Sequence, residues 1–143
     1  MRLTVFAKTA RLIVPALFAA LLMSACAAKN AEDEQADMTI TVTLRDLHRC
    51  SRISPEILVA NAPDGTQTFD VRLVEYGDEE RFFGGGSWDN DGSGVIPEGG
   101  LTRHYRGPCP PAGQSRDYAF VVSAMGKDNL QPLAVRLYRF TQE

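Results

Sequence analysis

The alternation of apolar and polar positions divides the chain at Met38. From there Met38-Thr39-Ile40-Thr41-Val42-Thr43-Leu44 alternates apolar residues with threonine, the period-two pattern of a strand with one buried face. Phe69, Val71 and Leu73 alternate with Asp70 and Arg72 in a second run. Tyr118 to Met125 is an aromatic and β-branched stretch, as in a strand buried on both faces. Leu133, Val135 and Leu137 alternate with Ala134, Arg136 and Tyr138 in the last. No stretch after residue 30 keeps a helical period over three turns. Twelve glycines and eight prolines, mostly between residues 55 and 113, mark turns. Short strands, Gly/Pro turns and no helix predict an all-β domain, a sandwich or barrel, over residues 38–143.

Residues 1–37 follow other patterns. Arg2, Lys8 and Arg11 precede the apolar run Leu12 to Met23, which ends in Ser24-Ala25-Cys26. That run is shorter than the roughly 20 residues a membrane span needs, so residues 1–25 read as a cleavable export signal. Its ending, Met23-Ser24-Ala25-Cys26, resembles the lipobox of bacterial lipoproteins, with Met23 where leucine is usual. The resemblance implies cleavage before Cys26 and lipid on its thiol and new amino group, so that the membrane is a partner through Cys26. Several acyl chains anchor stably where one does not. Ala27 follows, without the aspartate that retains lipoproteins in the inner membrane, which points to the periplasmic face of the outer membrane. The alternative is an ordinary secretory signal with Cys26 free.

Residues 26–37 then form a flexible acidic tether. Residues 27–37 have no aromatic or β-branched side chain and four acids, too little to bury. Extended, they could lift the domain up to roughly 35 Å from a bilayer. With the signal removed, 18 acids face 12 bases, a net charge of −6, so no basic footprint for nucleic acid is present. Of three cysteines, lipidation leaves Cys50 and Cys109. Outside the cytoplasm they are a candidate disulfide, the alternative being two unrelated buried thiols.

The most informative segment is Tyr105-Arg106-Gly107-Pro108-Cys109-Pro110-Pro111-Ala112-Gly113, followed by Arg116-Asp117-Tyr118-Ala119-Phe120. Three prolines in four residues stiffen the backbone and remove donors, and the flanking glycines admit close approach. This loop resembles the second conserved block of the phosphatidylethanolamine-binding protein family, also called Raf kinase inhibitor-like, whose pattern is Y-x-G-P-C-P-P-x-G, a spacer, then H-R-Y-x-F. Upstream, Cys50-Ser51-Arg52-Ile53-Ser54-Pro55-Glu56-Ile57 and Ala62-Pro63-Asp64-Gly65-Thr66-Gln67-Thr68-Phe69 are similar to its opening run. Val95-Ile96-Pro97-Glu98-Gly99 looks like the segment before the second block, and Tyr138-Arg139 like the closing strand. The resemblance implies a small β-sandwich of that family's type.

Departures qualify what the resemblance implies about ligands. Where the family has D-P-D-A-P, whose first aspartate lines the pocket, this chain has Glu75-Tyr76-Gly77-Asp78-Glu79. The family's H-W pair falls near Gly84-Gly85-Gly86-Ser87-Trp88, without the histidine, and the histidine of H-R-Y is Arg116. The family's pocket binds small anions and phosphorylated headgroups. A guanidinium is a permanent, forked donor for such groups, and Arg103, His104 and Arg106 add positive charge nearby. The ligand-binding set implied is Glu75, Tyr105, Gly107, Pro108, Arg116 and Tyr118. The alternative is a vestigial pocket, with Arg116 paired to Asp117 or turned to solvent, in a protein-interaction or inhibitor module facing another envelope protein.

Asp89-Asn90-Asp91-Gly92-Ser93-Gly94-Val95-Ile96 mimics the first eight positions of an EF-hand loop. Position twelve is Gly100 rather than glutamate, and no helices flank it, so it reads as a turn and no metal is expected. His48 and His104 are not spaced as metal ligands, and Ser51 and Ser54 lack an evident base. The expectation is a non-enzymatic protein without a cofactor.

Overall fold

The computed structural model describes residues 37–143 apart from 78, 79 and 129. The signal, Cys26 and the tether through residue 36 lie outside the described residues. Seven strands follow in chain order: β1 (Thr39–Thr43), β2 (Glu56–Ala60), β3 (Thr68–Tyr76), β4 (Arg81–Asp89), β5 (Val95–Ile96), β6 (Arg116–Met125) and β7 (Pro132–Gln142). One 3-10 turn, Asp46–His48, follows β1. β1, β2 and β5 form one sheet and β4, β3, β6 and β7 a second, all neighbours antiparallel.

The alternation seen in the sequence becomes the space between the sheets. Phe69, Val71 and Leu73 of β3 pair with Ala124, Val122 and Phe120 of β6, so all six point to one face, and all are buried. Val42, Ile57, Val59 and Ile96 of the smaller sheet complete the same core. The inner faces thus interdigitate as in an aligned sandwich. β6 lies between β3 and β7, and Ala119 and Ser123 are buried on its other side. That is why β6 reads as a continuous rather than an alternating run.

Two strands run against their local sequence signals. β4 contains Gly84, Gly85 and Gly86, which taken locally mark a turn. They lie in the strand because the Leu101–Tyr105 segment rests on it: Arg103 and Gly85 exchange backbone hydrogen bonds of 2.8 and 3.0 Å. A Cβ on Gly84 would strike the His104 carbonyl, and one on Gly86 would press on the Leu101 backbone. β5, at two residues, is too short to show a period.

The proline loop is held by a second close approach. Gly107 donates to the Ser51 carbonyl at 2.6 Å, and Cys50 donates to the Pro108 carbonyl at 2.9 Å. A Cβ on Gly107 would run into the His48 carbonyl oxygen, so only glycine fits. Beside this contact Cys50 and Cys109 form a disulfide with Cα atoms 4.5 Å apart. Closing a loop across a separation of 59 residues restricts the unfolded chain by roughly 4 kcal/mol on the chain-entropy account. The double variant Cys50→Ala/Cys109→Ala is therefore expected to lose about 2–4 kcal/mol in urea unfolding, and adding reductant to the wild type should give the same loss. An unchanged midpoint in both would show that the bridge contributes nothing.

Candidate functional site

The implied ligand set separates in space. Glu75 and Tyr118 are cross-strand partners on β3 and β6, with Phe140 of β7 next in the same row. They sit at the end of the inner face, where the core gives way to the proline loop. Tyr118 is buried, packed edge-on against Phe83 and stacked on Phe140, with ring centroids 5.7 Å away in both cases. Its hydroxyl faces the Glu75 carboxylate and the Cys109 backbone N–H, and burial, then the Glu75 charge, push the phenol up. Arg116, two residues earlier and on the same face of β6, places its guanidinium 3.7 Å from the Glu75 carboxylate and donates to Gln114 at 2.7 Å. It does not pair with Asp117, which accepts from the Thr141 hydroxyl. Glu75, Arg116, Tyr118 and the Cys109 backbone therefore form one cluster.

Tyr105 and Gly107 have other work. The Tyr105 ring lies in the core, stacked against Phe120, and its hydroxyl is buried without a hydrogen-bond partner among the described residues. Burial also drives that phenol far above the usual tyrosine range. The Gly107 N–H is taken by Ser51, so what Gly107 supplies is a close backbone approach, not a free donor. Pro108 is buried and its carbonyl accepts from Cys50. Trp88 pairs with Phe69 across β3 and β4 and packs against the core. Asp91 of the EF-hand-like stretch accepts from the Ser93 N–H and hydroxyl, which is turn chemistry.

Sequence reasoning missed His48. Its ring is fully buried against the same loop, Nδ1 accepts the Arg45 N–H at 3.0 Å, and Nε2 lies 2.9 Å from the Glu98 carboxylate. Glu98 also pairs with Arg45. This geometry assigns the neutral tautomer with its proton on Nε2, donating to Glu98. His48 thus ties the 3-10 turn to the Pro97–Gly100 turn. No signal in the sequence singles out this partner, 50 residues away.

No family model matches the chain, and no curated protein does. Among solved structures it is similar to Escherichia coli YbcL, described as a new member of the mammalian PEBP family. Identity is 15% and the TM-score 0.57, over 76% of this chain and 99% of that chain. The likeness shows that the two share a fold, a phosphatidylethanolamine-binding-like β-sandwich, as the proline-loop motif implied. Among the described residues no helix is long and apolar enough to cross a membrane.

Two tests follow from these placements. A buried unpaired hydroxyl costs about 1–3 kcal/mol, so Tyr105→Phe is expected to keep or raise stability, by about 1 kcal/mol. Tyr105→Ala, which empties a core position, should cost about 3–5 kcal/mol; denaturant unfolding distinguishes the two. For His48, burial and then the Arg45 charge lower the pKa below 6.5. A second proton would also have to displace the Arg45 N–H from Nδ1. The unfolded chain binds that proton more readily, so stability present above pH 6.5 is lost as the pH falls toward the depressed value. NMR titration should place the His48 midpoint below 6.5, and a midpoint at or above 6.5 would contradict this.

Proposed function

We propose that the chain is a lipid-anchored protein of the bacterial cell envelope, carried on Cys26 at the periplasmic face of the outer membrane. Its β domain binds a small anionic or phosphorylated ligand, without catalysis, at the Glu75–Arg116–Tyr118 cluster. The observation that carries the binding is the loose pairing of Arg116. At 3.7 Å its contact with Glu75 is well beyond the 2.7–2.9 Å of a charge-assisted hydrogen bond. The Arg116 side chain is 44% exposed and that of Glu75 only 12%, so the guanidinium can turn to an incoming anion while the carboxylate stays in place. An acid and a base side by side suit a zwitterionic headgroup such as phosphoethanolamine, with phosphate on Arg116 and ammonium on Glu75. The Tyr118 hydroxyl and the Cys109 N–H border the same space. Anchorage rests on the charged start, the short apolar run and the small residues before Cys26. The non-enzymatic reading is supported by Cys109 being bonded to Cys50 and by the Ser54 hydroxyl accepting from the Leu101 N–H.

A second reading, an interaction module of the envelope, draws on the outer face of the larger sheet. Leu133, Val135 and Leu137 of β7 and Phe82 of β4 are 37–59% exposed there.

Titrating phosphoethanolamine into the ¹⁵N-labelled full chain is expected to shift the amide resonances of Cys109 and Tyr118. Arg116→Ala should weaken that response at least tenfold, the ~1.4 kcal/mol expected from losing one charge-assisted contact. Resonances that stay in place in the wild type would sink the ligand reading.

A further inference from the structure

We infer that the chain carries a second oxyanion site, a phosphate-binding cleft beside the Leu101–Tyr105 segment, sharing none of Glu75, Arg116 or Tyr118. The cleft encloses about 280 Å³ and is lined by Arg52, Gly99, Leu101, Thr102, His104 and Tyr105. No carboxylate is among these residues. Among the described residues no acid lies within ion-pair reach of Arg52 or His104, although Arg45, Arg103, Arg116 and Arg136 each have one. In a protein whose acids outnumber its bases, two uncompensated basic side chains at one cleft favour an anion.

The backbone points the same way. From Gly99 to Gly107 there are nine N–H groups. Gly99, Gly100, Arg103, His104, Arg106 and Gly107 donate to backbone carbonyls, and Leu101 donates to the Ser54 hydroxyl. The two without a protein acceptor among the described residues belong to Thr102 and Tyr105, both of which line the cleft. The potential donors are therefore the Arg52 fork, the His104 ring, the Thr102 hydroxyl and two amides. That is more than the roughly four lone-pair sites of a carboxylate can accept, and it matches a phosphate group better. His104 is held with φ at 53°, a left-handed conformation that few non-glycine residues adopt, histidine and asparagine among the more tolerant. The Gly84–Gly86 bed beneath it fixes the segment, so the Thr102 and Tyr105 amides are placed before any ligand arrives.

The test is a titration of the ¹⁵N-labelled full chain with inorganic phosphate, with acetate at equal ionic strength as comparison. Phosphate is expected to shift the Thr102 and Tyr105 amides, and acetate to shift them at least tenfold more weakly. Arg52→Gln and His104→Asn, the latter chosen because asparagine tolerates the left-handed backbone, should each raise the phosphate Kd at least fivefold. Arg116→Ala should leave it within twofold. Glycerophosphoethanolamine binding as tightly as inorganic phosphate would assign the cleft to headgroups, and much weaker binding would assign it to free phosphate; either supports the site. No shift at Thr102 and Tyr105, equal response to acetate, or a phosphate response that depends on Arg116 alone would overturn it. Because this response is read at Thr102 and Tyr105, and the first site at Cys109 and Tyr118, the two can fail separately.

Discussion

The architecture depends on how closely two backbones approach at Gly107. The segment His48–Ser51 and the segment Arg106–Pro108 touch through the Gly107 N–H and the Cys50 N–H, at a distance that leaves no room for a side chain. The proline run is thereby laid across the end of the sandwich with the Cys109 N–H beside Tyr118. The disulfide reinforces the contact but does not create it: two hydrogen bonds and a glycine already specify the geometry. Three prolines in the loop add stiffness without competing for hydrogen bonds, since none has an N–H to satisfy.

Electrostatically, several of the arginines are partly compensated. Arg45 is matched by Glu98, Arg103 by Asp70 and Arg116 loosely by Glu75. Exposed pairs of this kind contribute little to stability, on the order of 0–1 kcal/mol each. Their importance lies in which cations they occupy and which they leave available. Burial distinguishes the partners too: His48 is shut in and held neutral, whereas the Arg45 guanidinium beside it keeps access to water.

How much of this could be read from the residues alone varied with the physics behind each feature. β1, β3 and β7 were visible because one buried face imposes a period of two, and β6 because a strand between two others is buried on both sides. β4 was hidden, since Gly84–Gly86 signal a turn unless the segment lying on them is known, and β5 is too short for any period. The grouping of Glu75, Arg116 and Tyr118 came from a motif resemblance; the strand register places them side by side. Tyr105 and Gly107 belong to the same motif but serve the core and the loop contact. Whether an N–H points to a ligand or to Ser51 is decided by tertiary placement, which spacing does not encode. His48 carried no pattern at all, because its acceptor and donor are fixed by two turns far apart in the chain.

The glycine bed of β4 also bears on how this chain can change. A side chain at Gly84 is blocked by the His104 carbonyl and one at Gly85 by the Val71 carbonyl, while one at Gly86 would press on the Leu101 backbone. A histidine at Gly84 or Gly85 therefore cannot be accommodated unless the backbone moves. At Gly84 the Leu101–Tyr105 segment would have to shift first, and alone that shift only breaks the bridge between Gly85 and Arg103. Changes that are harmful singly and useful only together are strongly non-additive. The bed therefore leaves side-chain variety at this edge to the loops around the strand, because neighbouring backbone fills the space over the strand's own central positions.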